Sequence, residues 1–194
     1  MKKFFNFLLV LFLCLPIMAI KAEIIIDGKL DEDDWNDARQ ITTFYEVFPY
    51  TLNPVKDIKT VILIKESEEG IFIGFKNYQS NESMRSQSHQ RDDERSIADK
   101  NGVTIDFDAD KLSGYQFFVS SSSSIGDATY SNENERSYDW DADWLSAATT
   151  EEGVWYSEMF IPWTVAPMKA QSGAQRKVRM AFYRMLAGPQ RVIA

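Results

Sequence analysis

The sequence predicts an all-β protein, an antiparallel β-sandwich of jelly-roll type with one short N-terminal helix. Three observations predict it. TVILIKESEEGIFIGFKN (60–77) sets two β-branched, apolar runs around Ser-Glu-Glu-Gly, a hairpin pattern with Gly70 suited to a positive-φ turn position. GVTIDFDAD (102–110) alternates cleanly, Val103, Ile105 and Phe107 against Thr104, Asp106 and Asp108. About eight such short runs are separated by hairpin-length turns, and one stretch alone has a helical pattern.

In chain order, Lys2 and Lys3 precede an apolar run from Phe4 to Leu15, and small residues follow at Ala19 and Ala22. That is the layout of a signal peptide over 1–22, too short for a spanning helix. The bulky Leu13 before Cys14 argues against a lipoprotein site. IIIDG (24–28) reads as a short strand ended by an Asp-Gly turn. LDEDDWNDA (30–38) reads as a short helix, with Asp31 as N-cap and Trp35 and Ala38 on its buried side. The 60–77 hairpin follows, apolar on both faces and therefore central. Residues 78–100 are polar and aperiodic, a long surface loop of the kind that often carries function. The chain then turns at Leu112–Gly114 and returns through YQFFVS (115–120). SSSSIGDATYSNENERS (121–137) reads as a polar loop, and DWDADWLSAAT (139–149) and VWYSEMFI (154–161) as strands, the latter ended by Pro162. KVRMAFYRML (177–186) is the last strand, with Val178, Met180, Phe182 and Met185 as its apolar positions. The sequence closes in the apolar stretch Gln190 to Ala194 without a terminating turn. The expectation is that 23–194 is the first domain of a longer protein.

Composition narrows the function. The formal charge is −8, and removing the leader with Lys2, Lys3 and Lys21 makes the chain more acidic still. Such a chain repels phosphate backbones and anionic lipid, so nucleic acid is excluded and a membrane is reached only through a downstream region. The single cysteine, Cys14, leaves with the leader, so the mature chain has neither disulfide nor thiol chemistry. One histidine and no mature cysteine exclude a zinc site. That histidine, His89, lies in the polar loop with no nucleophile context and reads as a solvated residue. No phosphate loop or dinucleotide fingerprint is present. With 29 acids some carboxylate pair always falls at a glycosidase spacing, so that signal is empty and the domain reads as non-catalytic. Five Trp, eight Tyr and thirteen Phe in so acidic a chain must fill a core or face a ligand.

Two D-x-D-x-D runs stand out. Asp106, Asp108 and Asp110 are the candidate ligands of a structural calcium at a turn, because calcium takes hard oxygens at this density. On strands the same spacing merely places all three on the solvent face. Asp139, Asp141 and Asp143 lie within YDWDADW (138–144). As a strand, that stretch sets Tyr138, Trp140, Ala142 and Trp144 on one face and the aspartates on the other. Trp140 then either joins Trp144 in an aromatic inner face or breaks out as a stacking ring. Flat aromatic faces beside carboxylates and Arg suit a sugar.

I-D-G-K-L-D-E-x-x-W-x-x-A (26–38), IFIGF, D-K-N-G-V-T-I-D-F-D (99–108), G-Y-Q-F-F-V (114–119), W-x-x-x-W (140–144) and W-Y-S-E-M-F-I-P-W (155–163) follow one another in order. Through them the chain resembles family 9 carbohydrate-binding modules over roughly 24–187. It is most similar to the module at the start of large envelope proteins of unknown function, whose downstream part resembles an outer-membrane barrel. The resemblance implies a β-sandwich that binds oligo- or polysaccharide without catalysis, within a larger exported protein of the periplasm, outer membrane or cell exterior. It implies a glycan ligand and the chain's own downstream domain as partners. The ligand site would comprise Trp140, Trp144, Tyr138, Tyr130, Arg91, Asp92 and Arg95, with calcium structural where present. Asp27, Trp35, Glu158 and Pro162 look like fold determinants. Glu158 lies in an apolar strand and needs a donor, expected to be an Arg near the C-terminus. The alternative is a structural or interaction domain of an outer-membrane-associated protein that has lost sugar binding, because no second exposed Trp completes a sugar sandwich. A remoter reading is haem binding through Met168 and Lys169, as in a related sandwich of periplasmic redox subunits.

Overall fold

A computed structural model describes residues 24–93, 95–132, 135–171 and 175–194; the leader expected over 1–22 lies outside the described residues. The described residues form two antiparallel sheets. The five-stranded sheet runs in the order β1 (Arg39–Ile41), β3 (Thr60–Glu66), β4 (Gly70–Tyr78), β10 (Val154–Pro162), β9 (Leu145–Glu151). The seven-stranded sheet runs β2 (Glu46–Phe48), β12 (Arg191–Ile193), β11 (Arg179–Leu186), β5 (Lys100–Asp106), β6 (Ser113–Ser120), β7 (Ile125–Ser131), β8 (Glu135–Ser137). Among the described residues no helix is long and apolar enough to cross a membrane.

Alternation along the strands builds the core. Ile62, Ile73, Phe75, Met159 and Ile161 of the first sheet meet Val103, Ile105, Phe117 and Val119 of the second, all without exposed surface. Burying each such side chain contributes about 1.5–3 kcal/mol. The predicted hairpin is present, with Thr60 opposite Asn77 and Glu66 opposite Ile71. Gly70 serves it differently from expectation, through close approach and not through a left-handed backbone. A Cβ there would come within 2.4 Å of the Ile161 carbonyl oxygen.

Several expected elements are corrected. The helix over 30–38 is a single 3-10 turn, Asp33–Trp35, whose N-cap is Glu32 and not Asp31, and no side chain caps it. Asp and Asn dominate that stretch, and both favour local turns over helix interiors. The loop expected at 121–137 contains β7 and β8, which continue the seven-stranded sheet. The expected strand 139–149 begins only at Leu145; YDWDADW makes no ladder. The apolar stretch near Ala194 is β12, paired between β11 and β2.

Two buried polar groups anchor the periphery. Glu158 stands on the outward face of β10 beneath the N-terminal segment and is fully buried. Its Oε2 accepts the N–H groups of Asp27 (3.0 Å) and Gly28 (2.8 Å), and its Oε1 accepts the indole N–H of Trp35 (3.2 Å). The donors are therefore these three groups, not an Arg near the C-terminus. Arg184 does lie fully buried, but it donates elsewhere, to Thr60 Oγ1 at 2.7 Å and Gln79 Oε1 at 2.6 Å. Burial lowers its guanidinium to about 10. Gln79 in turn donates to the buried Asp99, tying the loop after β4 to the start of β5, the central strand of the seven-stranded sheet.

Candidate functional site

The face of the seven-stranded sheet that points away from the core carries the candidate site. In β6, Tyr115, Phe117 and Val119 turn to the core, so Gly114, Gln116 and Phe118 turn outward. Adjacent aromatics on a strand must part company. Phe117-Phe118 and Phe182-Tyr183 each send one ring inward and one outward.

The ladder register places the outward rings beside glycines. Tyr183 stands opposite Gly102, Gly102 opposite Phe118, and Phe118 opposite Gly126. A Cβ at Gly102 would lie 2.3 Å from the Tyr183 ring, and one at Gly126 would lie 2.2 Å from the Phe118 ring. Each ring thus rests over the backbone of the neighbouring strand, in space that only glycine leaves.

Gln116 wires this surface together. Its Nε2 donates to the Tyr183 hydroxyl (3.2 Å), and its Oε1 accepts from the Tyr130 hydroxyl (3.4 Å). Arg136 donates to the Tyr130 oxygen at 3.5 Å and lies over the Tyr138 ring, 4.9 Å from its centre. Burial pushes the Tyr183 phenol well above its ordinary value, so it remains a neutral hydroxyl at physiological pH. These side chains line a hollow of about 380 Å³, from Tyr138 and Arg136 on one side, past Gln116 and Phe118, to Met185 and Val192 on the other. A second hollow of about 330 Å³ adjoins it beyond Tyr130, between Thr104, Leu112 and Ala181. The described lining of the larger hollow holds no carboxylate. Its chemistry is ring stacking plus hydrogen bonding by an amide, hydroxyls and a guanidinium, with the mostly buried Lys100 lying over the Phe118 ring.

Of the expected site residues, Tyr130 and Tyr138 belong to this surface. Trp140 and Trp144 do not; both pack on the core side. Trp140 lies edge-on to Tyr115 at 5.0 Å and to Phe117 at 5.8 Å, and Trp144 to Phe117 at 5.4 Å between ring centres. YDWDADW is fastened there by Asp127, which is fully buried. Asp127 accepts the Trp144 indole N–H (2.9 Å), the Ala142 N–H (3.2 Å) and the Arg91 guanidinium. Arg91 also pairs with Asp141 at 3.0 Å, and Asp92 accepts the Asp127 N–H at 2.7 Å. Arg91 and Asp92 are therefore brought together as a clasp, away from the outward hollow. Arg95 is exposed and lines neither hollow; its backbone N–H donates to Asp93. His89, read as solvated, is half-buried, with its backbone N–H donating to Ser124.

The three aspartates considered for calcium do not fit an ion. Asp106 accepts the N–H groups of Asp108 and Lys111. Asp108 accepts from the Lys169 N–H and from Arg176. Asp110 pairs with the Lys169 ammonium at 2.6 Å, a hydrogen bond that holds its carboxyl below the ordinary range. Among the described residues no three His, Cys, Asp or Glu side chains are placed to hold a metal ion. Lys169 is thus engaged by Asp110, and Met168 packs against the core.

Sequence reasoning missed Gln116, Phe118, Tyr183 and Arg136. The adjacent aromatic pairs were the available signal, since alternation requires the second ring of each to face outward.

No family model and no curated protein matches the sequence. Solved structures do match. A family 9 carbohydrate-binding module from Caldicellulosiruptor kristjanssonii in complex with cellotriose superposes with a TM-score of 0.57 at 11% identity, covering 89% of this chain and 78% of that one. A candidate carbohydrate-binding protein from Bacteroides uniformis gives 0.59 at 14% identity, covering 82% and 78%. A Caldicellulosiruptor kristjanssonii family 9 module in complex with glucose gives 0.50 at 12% identity, covering 83% and 81%. The chain has the fold of the family 9 carbohydrate-binding modules.

Proposed function

We propose that the domain is a carbohydrate-binding module that holds oligo- or polysaccharide non-catalytically in the hollow of the seven-stranded sheet. The observation that carries this reading is the hollow that Tyr138, Arg136 and Tyr183 line together, with Tyr183 seated over Gly102 and joined through Gln116 to Tyr130, while Phe118 is buried beneath it. The solved neighbours that hold cellotriose and glucose support it. A ring face takes the apolar side of a pyranose while amide and hydroxyl groups take its hydroxyls. The leader-like segment supports export to the periplasm, outer membrane or cell exterior, with a downstream domain as the partner that the glycan interaction serves.

Calorimetric titration against a panel of β-linked oligosaccharides tests the reading. Tyr183→Ala is expected to weaken binding about tenfold or more, because it removes a stacking face and the partner of Gln116. Unchanged affinity in that variant, or no binding to any glycan by the parent domain, overturns it. Trp140→Ala, by contrast, is expected to lower the unfolding midpoint through its lost contacts with Tyr115 and Phe117.

An interaction domain is the second reading. It is supported by the exposed cluster Tyr45, Phe48, Tyr50 and Leu52 around β2.

A further inference from the structure

The opposite face of the sandwich carries a hollow of its own. In β4 the core-facing Ile73 and Phe75 leave Gly74, Lys76 and Tyr78 turned outward. The ladder sets Lys76 between Val61 of β3 and Tyr156 of β10. Directly opposed residues share a face, so these three form a row on the outside of the five-stranded sheet. One row further the N-terminal segment crosses Gly74, where Leu30 and Trp35 take the space a Cβ would need. That segment walls off a shelf of about 360 Å³, floored by Val61, Leu63, Lys76 and Tyr156 and bounded by Lys29 and Leu30. All four floor residues are half-buried, so the shelf is open to solvent.

Its charges are unevenly matched. Lys29 pairs with Asp27 at 3.3 Å, and the Tyr156 hydroxyl donates to Glu151 at 3.5 Å. Lys76 has no ion pair among the described residues; its ammonium lies over two rings, 5.5 Å from the centre of Tyr78 and 5.4 Å from that of Tyr156. Lys59, also without an ion pair among the described residues, stands over Tyr78 at 4.7 Å. Two cations thus converge on one ring, in a chain whose formal charge is −8. A ring face attracts an ammonium group without neutralising it, so both keep their charge for an anion.

We propose that this shelf is a second ligand site, separate from the hollow of the seven-stranded sheet, and that it takes an acidic sugar, a uronate unit whose carboxylate meets Lys76 and Lys59. Asp31 and Glu151, both exposed at the rim, decide the kind of anion. They repel a doubly charged phosphate monoester more than a singly charged carboxylate. The same two groups accept hydrogen bonds from sugar hydroxyls, and the amides of Asn36 and Gln40 donate as well as accept. Val61 and Leu63 offer the apolar side of the ring its contact.

Calorimetric titration with tetragalacturonate and with tetramannuronate, each beside its fully methyl-esterified form, tests the assignment. At least one acid is expected to bind, its ester about tenfold more weakly or worse, with affinity falling as salt is raised. Lys76→Met, which keeps most of the aliphatic stem over the tyrosines, is expected to weaken the acid about tenfold, and Lys76→Arg by about threefold or less. Absence of binding by both acids, equal binding of acid and ester, indifference to Lys76→Met, or displacement of the acid by equimolar inorganic phosphate overturns the proposal and leaves the reading of the other hollow intact. A loss in Tyr183→Ala as large as that in Lys76→Met places the acidic sugar on the seven-stranded sheet and overturns the second site. Failure of every neutral glycan to bind removes the first reading and not this one.

Discussion

Glu158→Ala is expected to destabilise the domain by about 3 kcal/mol at pH 5, read from urea unfolding. The substitution leaves the N–H groups of Asp27 and Gly28 and the Trp35 indole without their acceptor, inside a region from which water is excluded. The loss is expected to shrink as the pH rises. Burial, opposed only in part by the three donors and reinforced by the nearby Glu32, pushes the Glu158 carboxyl from 4.5 up to about 7. Because the folded state holds this proton more tightly than the unfolded chain, its contribution is complete below pH 4.5 and is lost as the pH rises through about 7. The parent domain is therefore expected to weaken across that window. Glu158→Gln, with nothing to titrate there, is expected to show a flatter profile. Asp57 and Asp110, held low by Arg191 and Lys169, run the other way, losing their contribution only in more acidic solution. An unfolding profile that stays flat between pH 5 and pH 8 in the parent protein contradicts the assignment.

Asp127→Ala is expected to cost about 3 kcal/mol as well, by a different route. One carboxylate gathers an indole, a backbone amide and a guanidinium, none of them adjacent to it in sequence. Its removal frees residues 138–144 from the sheet edge, so the near-ultraviolet dichroism of Trp140 and Trp144 is expected to fall. Asp127→Asn is only a partial rescue, because its NH2 must face either the Ala142 N–H or the Trp144 and Arg91 donors, and the negative charge opposite Arg91 is gone. Glycan affinity is expected to drop in parallel, since Tyr138 begins the loosened segment. A variant within about 0.5 kcal/mol of the parent, with unchanged dichroism, rules out the clasp.

The clean alternation of 102–110 and the hairpin of 60–77 were legible because each strand buries one or both faces, which writes a period of two into the sequence. β7 and β8 were not, because IGDATYS has Ile125, Ala128 and Tyr130 without a period of two and ERS is three polar residues, so neither announces a buried face. The role of Glu158 was half legible. An acid in an apolar strand demands donors, but backbone N–H groups more than a hundred residues away leave no mark in composition. YDWDADW misled because its tryptophans are conspicuous, whereas the outward rings are ordinary residues whose meaning comes from glycines on neighbouring strands. Gly102 says little alone; opposite Tyr183 it explains where the ring lies.

Those glycine seats also bear on how tightly a ligand can be held. A side chain that must be immobilised on binding gives up roughly 0.5–1.5 kcal/mol of rotational freedom. Tyr183 and Phe118 have already given theirs up when the sheet forms, because each is confined to the gap above a neighbouring glycine. Filling the gap, as in Gly102→Ala, would place a Cβ 2.3 Å from the Tyr183 ring and force the ring from its seat. The loss of affinity in such a variant would measure how much binding depends on the ring being held in that place before the ligand arrives.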